Sequence, residues 1–220
     1  MFTGFTDNTQ SFFWDLQFNN EREWFREHRE SFEENLNRPF KELGKETFEL
    51  VKAAFPTEEL DLHLSRIYRD ARRLFGRGPY KDNLWFSLEN SGRTEGGPSF
   101  FFEISPAGWC CGLGFYSARA SEMESFRKSV DANPERFRRL AEEAAALEGY
   151  IVEGPEYKKP KGDYGEAVNA WYNRKSVSII RQRDYDDLLM SDRLPKFLAE
   201  DFSRLIPLYD YLNRFCTEYL

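Results

Sequence analysis

Cysteine and histidine are scarce. The chain has 220 residues, with three cysteines and two histidines. Three cysteines are too few, and odd in number, for a disulfide scaffold. Cys110 and Cys111 are adjacent and lack the two-residue spacer of zinc knuckles. His28 and His63 lie 35 residues apart, so no metal site is expected. No Ser sits in a nucleophile-elbow pattern. There is no Gly-rich dinucleotide fingerprint and no phosphate loop ending in Gly-Lys-Ser/Thr, so no cofactor is expected. No apolar run approaches the ~20 residues of a membrane span. The opening MFTGFTDNTQ has no basic segment followed by an apolar one, so no secretory signal is expected. The expectation is a reduced, cytoplasmic protein without membrane contact. Positive charge is also in deficit: 31 Lys and Arg stand against 38 Asp and Glu, a formal charge of -7. That argues against wholesale binding of nucleic acid.

Aromatic residues are abundant, at 17% of the chain. Residues 6–55 read as helical. Thr6 or Asn8 caps a first helix bearing Phe12, Phe13 and Leu16. Asn20 followed by Glu23 reads as a capping box for a second, with Trp24, Phe32 and Leu36 on one stripe. Pro39 opens a third, whose expected buried face is Phe40, Leu43, Leu50 and Ala54. The period then changes. Leu60, Leu62 and Leu64 alternate with polar residues, which is a strand signal. Residues 84–88 form a second strand candidate. Residues 99–105 and 109–115 flank Pro106-Ala107-Gly108 as a hairpin. Ser121 with Glu124, then Asn133-Pro134, mark two more helix starts. Tyr157–Gly165 is a basic loop, and residues 167–172 are a short helical stretch. Residues 177–180 are a short strand. Two last helices are expected on either side of Pro207.

The order is helices, strands, helices, strand, helices. It lacks the regular alternation of a doubly wound sheet. The expected fold is α+β, with a mostly antiparallel central sheet packed by N-terminal, middle and C-terminal helices, in a single domain over 1–220.

Charge collects at residues 66–81, RIYRDARRLFGRGPYK, where six cations meet the single acid Asp70. Arg174, Lys175, Arg181 and Arg183 form a second basic stretch. Arginine forks match carboxylates and phosphates. The site expected is therefore an anion-binding surface lined by Arg66, Arg69, Tyr80, Lys81 and Lys175, for a small anionic or phosphorylated ligand. The competing reading is an ion-pair network with the acids of 21–34 or 184–192. Asp70 is the candidate catalytic residue of a rival reading, a hydrolase or phosphoryl-transfer enzyme. A protein-interaction or scaffold role is the third. Trp24, Trp85 and Trp109 could form a stacking platform, but core packing is the stronger reading.

The chain resembles a widespread, mainly bacterial family catalogued as a conserved domain of unknown function. The resemblance rests on Asn19, Asn20, Glu23, Trp24, Phe25 and Arg29, and on a central signature of Arg66, Ile67, Arg69, Asp70, Arg72, Pro79, Tyr80 and Lys81. Phe100–Phe102, Gly112, Gly114, Tyr116, Lys175-Ser176 and Pro207-Leu208 extend it over nearly the whole chain. The chain departs from the family pattern at Arg73-Leu74 and at Phe75-Gly76-Arg77, where a carboxylate is lost at Gly76. The resemblance implies a shared site rather than a named reaction.

Overall fold

The computed structural model describes residues 1–70, 72, 76–92 and 96–217, and of residues 215–217 the backbone only. Arg73, Leu74 and Phe75, singled out above, lie outside the described residues, as does the side chain of the third cysteine, Cys216. The fold is α+β. Six antiparallel strands form one sheet in the order β1-β2-β3-β4-β6-β5. Their ranges are Leu60–Leu64, Leu84–Asn90, Ser99–Ser105, Gly108–Gly114, Tyr150–Glu153 and Ser178–Arg183 for β1 to β6. Helices α1 (Asp7–Phe18), α2 (Arg22–Glu27), α3 (Arg29–Phe32) and α4 (Arg38–Ala54) precede the sheet. Helices α5 (Ala120–Ala132), α6 (Pro134–Ala145) and α7 (Glu166–Tyr172) lie between its strands, and α8 (Leu194–Thr217) closes the chain.

Alternation decides the two faces of the sheet. Leu84, Phe86 and Leu88 on β2, and Phe100, Phe102 and Ile104 on β3, are all fully buried. They meet the helices: Phe100 lies 5.2 Å from Phe202 and 4.9 Å from Tyr209 of α8 between ring centres, and Phe86 lies 6.1 Å from Phe40 of α4. The intervening residues of β3, Ser99, Phe101, Glu103 and Ser105, are only half-buried. The sheet thus packs one face against helices and leaves the other open. The β3–β4 turn needs Gly108, whose φ is +146° and where a Cβ would lie 2.3 Å from the Arg183 carbonyl oxygen.

Several local expectations are revised. The predicted cap Asn20 does not cap; Glu21 precedes α2, and Asn20 is used elsewhere. Phe25, rather than Trp24, enters the core, because the chain turns at His28 and resets the stripe. Trp24 is half-buried and stacks on His28 with ring centres 4.1 Å apart. A π-turn at Glu33–Asn37 leads directly into α4, so its buried face is Phe40, Leu43, Thr47 and Val51, while Leu50 and Ala54 are exposed. Helix α5 starts after Arg119, whose backbone N–H donates to Glu122 at 2.6 Å, not at Ser121. Pro207 does not divide the last helix; α8 runs through it. Strand β5 was not expected. Among the described residues no helix is long and apolar enough to cross a membrane.

Candidate functional site

The connection from β1 to β2 carries most of the expected site. Its two limbs pair: the Arg69 N–H donates to the Pro79 carbonyl at 2.8 Å and the Lys81 N–H to the Ile67 carbonyl at 2.7 Å. Asn20 clasps the loop from outside. Its Oδ1 accepts the Tyr80 N–H at 3.0 Å and its Nδ2 donates to the Tyr80 carbonyl at 3.1 Å. Gly78 permits this approach, since a Cβ there would lie 2.3 Å from Asn20 Cγ.

Within this frame the expected residues have different fates. The Arg69 guanidinium is largely buried. It donates from Nε to the Gly78 carbonyl at 3.3 Å and from Nη2 to the Tyr80 carbonyl at 3.0 Å, and lies 3.7 Å from Asp82. Tyr80 is buried, its ring stacked on Phe25 with centres 4.0 Å apart. Arg66 is exposed. The Asp70 carboxylate accepts the Arg72 backbone N–H at 3.0 Å and both Nε and Nη2 of Arg72, at 3.1 and 2.8 Å. Lys175 is not brought to this corner. It enters β6 beside Ser178, which pairs with Gly114 at the opposite end of the strands from Leu84. Arg69, Tyr80 and Lys81 therefore share a corner, and Lys175 stands apart.

Lys81 points to the open face of the sheet. Its Nζ lies 5.8 Å from the centre of the Trp85 ring, and its charge interacts with Glu103, the cross-strand partner of Trp85. Trp85 is part of an aromatic row. His63 lies 5.3 Å from it on one side, and Tyr116 stacks at 6.0 Å on the other. Tyr116 is 89% exposed. A cavity of about 290 Å³ opens here, lined by Trp85, Ser87, Glu89, Phe101, Glu103 and Tyr116 among others. A second, of about 410 Å³, adjoins it through Glu103 and reaches Cys110, Gln182 and Arg183. The Ser87 hydroxyl donates to the Glu89 carboxylate, holding that acid over the face.

The charges at the centre are pushed towards neutrality. Burial lowers the Lys81 ammonium below its usual value, as does Arg69, with Glu103 opposing. Burial raises the Glu103 carboxyl, against a hydrogen bond from Asn83; Asp82 adds to the rise and Lys81 opposes it. Burial pushes the Cys110 thiol up to about 12, so it is not a thiolate nucleophile. Among the described residues no three His, Cys, Asp or Glu side chains gather in a way that suits a metal ion.

A pH dependence follows. The folded protein holds the Glu103 proton more tightly than the unfolded chain, whose value is near 4.5. In that window the native state binds more protons, so this carboxyl removes stability as pH rises from 4.5 through its folded value. Lys81 acts with the opposite sign in the alkaline range. Glu103→Gln is expected to flatten the decline, measured as urea midpoints from about pH 4 to 8. A wild-type and variant difference that does not change across that range would place Glu103 in an ordinary aqueous environment.

Sequence reasoning reached Lys81 but missed its partners. Glu103 was the available signal, as the single charged residue in the strand SFFFEIS. Trp85, expected in the core, is half-buried on the open face, whereas Trp109 is buried as expected.

Comparison with known proteins adds the family. Its model, described as "Conserved hypothetical protein (DUF2461)", matches residues 8–211, and the chain belongs to that family. No curated protein matches the chain at a significant level.

Proposed function

We propose that the protein binds a small hydroxylated ligand bearing one anionic group, a carboxylate or phosphate, on the open face of its sheet. The observation that carries this reading is the half-buried Lys81 beside Glu103, set against the row of half-buried Trp85 and exposed Tyr116 on the open face. An anion regains the charged form of Lys81 that burial disfavours, through a charge-assisted contact. The flat aromatic row takes the apolar face of a ring or chain. Glu89 and Glu103 accept from hydroxyls, and they disfavour a ligand of high negative charge. Arg69, Tyr80 and Asn20 serve this site by fixing the loop that presents Lys81.

The test is calorimetric titration with a panel of sugar phosphates, sugar acids and hydroxy acids. Saturable binding is expected, weakened by salt. Lys81→Ala should cost roughly 1.5–3 kcal/mol, the scale of a hydrogen bond to a charged group. Trp85→Ala should also weaken binding, and Asp70→Asn should leave it unchanged. Binding that is indifferent to Lys81→Ala and Trp85→Ala would overturn the reading.

One observation favours a second reading, an enzyme of the hydrolase class. Glu103 holds its proton above the usual carboxyl range, which suits a general acid better than does Asp70, committed to Arg72. If this reading holds, the same panel followed by mass spectrometry shows product, and Glu103→Gln binds ligand without turning it over.

A further inference from the structure

A second cluster of cations lies away from the Lys81 corner, around Tyr157 in the loop between β5 and α7. Its backbone N–H donates to the Asn173 carbonyl at 3.0 Å. Asn173 also holds the loop from within, its Oδ1 accepting the Lys161 N–H at 2.7 Å. Three cationic heads gather on the Tyr157 ring. Lys161 Nζ lies 4.6 Å from its centre, Arg127 Cζ 5.4 Å and Lys175 Nζ 5.9 Å. They come from separate parts of the chain: Arg127 from α5, Lys161 from the loop itself, and Lys175 from the segment that enters β6.

Among the described residues none of these three is within 4.0 Å of a carboxylate. The Nη1 atom of Arg127 is shielded from solvent and has no hydrogen-bond partner. Nearby acids have partners of their own. Glu156 pairs with Arg174 at 3.2 Å, Glu124 with Lys128 at 2.9 Å, and Asp131 accepts the hydroxyls of Tyr164 and Tyr172 at 2.7 Å each. The electron-rich face of Tyr157 offsets part of the repulsion among the cations. It does not satisfy the donor on Arg127, and a shielded donor left unpaired is costly.

We infer that Arg127, Lys161 and Lys175 around Tyr157 form a binding site for a phosphate dianion. Three convergent cations match a doubly charged group with several acceptor oxygens better than a single carboxylate. The fork of Arg127 supplies directional donors, and the two lysines supply mobile charge. The same chemistry is carried by free inorganic phosphate and by the phosphate of a small metabolite. This site is distinct from the one proposed on the sheet face and does not depend on it.

The experiment is titration of the full chain with inorganic phosphate and, separately, with a hexose phosphate, followed by calorimetry and by phosphorus NMR. Acetate serves as the singly charged control. Saturable binding that weakens with salt is expected, with acetate bound more weakly. Lys161→Ala and Lys175→Ala, both at exposed positions, should each lower the affinity roughly tenfold, as for a lost charge-assisted contact. Their unliganded thermal midpoints should not fall. A hexose phosphate that binds much more tightly than inorganic phosphate identifies the metabolite as the source, and equal affinities identify the free ion. Binding unchanged in the Lys161→Ala, Lys175→Ala double variant overturns the site. If that same binding is lost in Lys81→Ala, the anion belongs to the sheet face instead. Absence of any saturable phosphate binding overturns the site while leaving the sheet-face reading, which rests on hydroxylated ligands and Trp85, to its own titration.

Discussion

Replacing Asp201 with alanine is expected to destabilise the protein by ~3–5 kcal/mol, the range found when one partner of a buried ion pair is removed. Asp201 lies on α8 and is 2% exposed. Its carboxylate accepts the Tyr150 hydroxyl at 2.7 Å and lies 3.3 Å from Arg181 Nη2 on β6. The Cys111 thiol of β4 donates to it at 3.7 Å. One acid thus ties α8 to three neighbouring strands. Arg181 is itself largely buried, lying over the rings of Tyr150 and Phe197, and its Nε has no partner. Without Asp201 a buried guanidinium is left without its counter-ion. Arg181→Met in the Asp201→Ala background should recover part of the loss, because no buried charge is then left unpaired, although the Tyr150 hydroxyl still lacks its acceptor. Denaturant unfolding of the single and double variants measures both effects. A loss below about 1 kcal/mol for Asp201→Ala would mean that α8 is held by its aromatic contacts alone. The same burial, together with Asp201, raises the Cys111 thiol well above its usual value, so it should resist alkylation in the native state.

This network also shows where the sequence could be read and where it could not. Strand β1 declares itself through alternation of apolar and polar residues, β2 as a short apolar run, and β3 and β4 as the two runs that flank Pro106-Ala107-Gly108. The apolar pattern of β6 marks only residues 177–180, whereas the strand runs over Ser178–Arg183. Its inward positions continue as Arg181 and Arg183, cations laid over Tyr150, Phe197 and Trp109, so the apolar signal stops before the strand does. Strand β5 is four residues long between Gly149 and Gly154, with Ile151 half-exposed on the open face, too short a pattern to register. Pro207 carries a local stop signal that tertiary packing overrides: Phe202, Leu205, Leu208 and Tyr209 are all buried, and the helix continues through it. The candidate site was legible in one residue. Lys81 stands in a visibly basic stretch, but Trp85, Glu103 and Tyr116 come from β2, β3 and the segment after β4. Only strand pairing brings them together, and cross-strand partners are not written in a local window. The arginines of the basic stretch misdirect for a related reason. A guanidinium is as well suited to loop carbonyls as to a ligand, and Arg69 binds the carbonyls of Gly78 and Tyr80.

Phe25→Ala is expected to cost ~3–5 kcal/mol, the scale of truncating a core aromatic. It should exceed the cost of Trp24→Ala, although Trp24 is the larger residue. Phe25 is 3% exposed and lies between α3 and the β1–β2 connection, with its ring 5.1 Å from Phe32, 4.0 Å from Tyr80 and 6.0 Å from Tyr68. Trp24 keeps part of its surface in water and packs on His28 and Phe12. Burial therefore ranks the two against their size. The consequence reaches the site. Tyr80 is held by its ring on Phe25 and by its backbone on Asn20 and Arg69, and the next residue is Lys81. Removing the ring beneath Tyr80 should loosen the loop and reduce the pre-organisation of the Lys81 ammonium beside Trp85. Hydrogen exchange at the Tyr80 and Lys81 amides, read beside urea unfolding, separates a local from a global effect. Faster exchange at these two amides than the fall in global stability accounts for is the expected result. Protection that declines only in step with global stability would show that Phe25 supports the core without positioning Lys81.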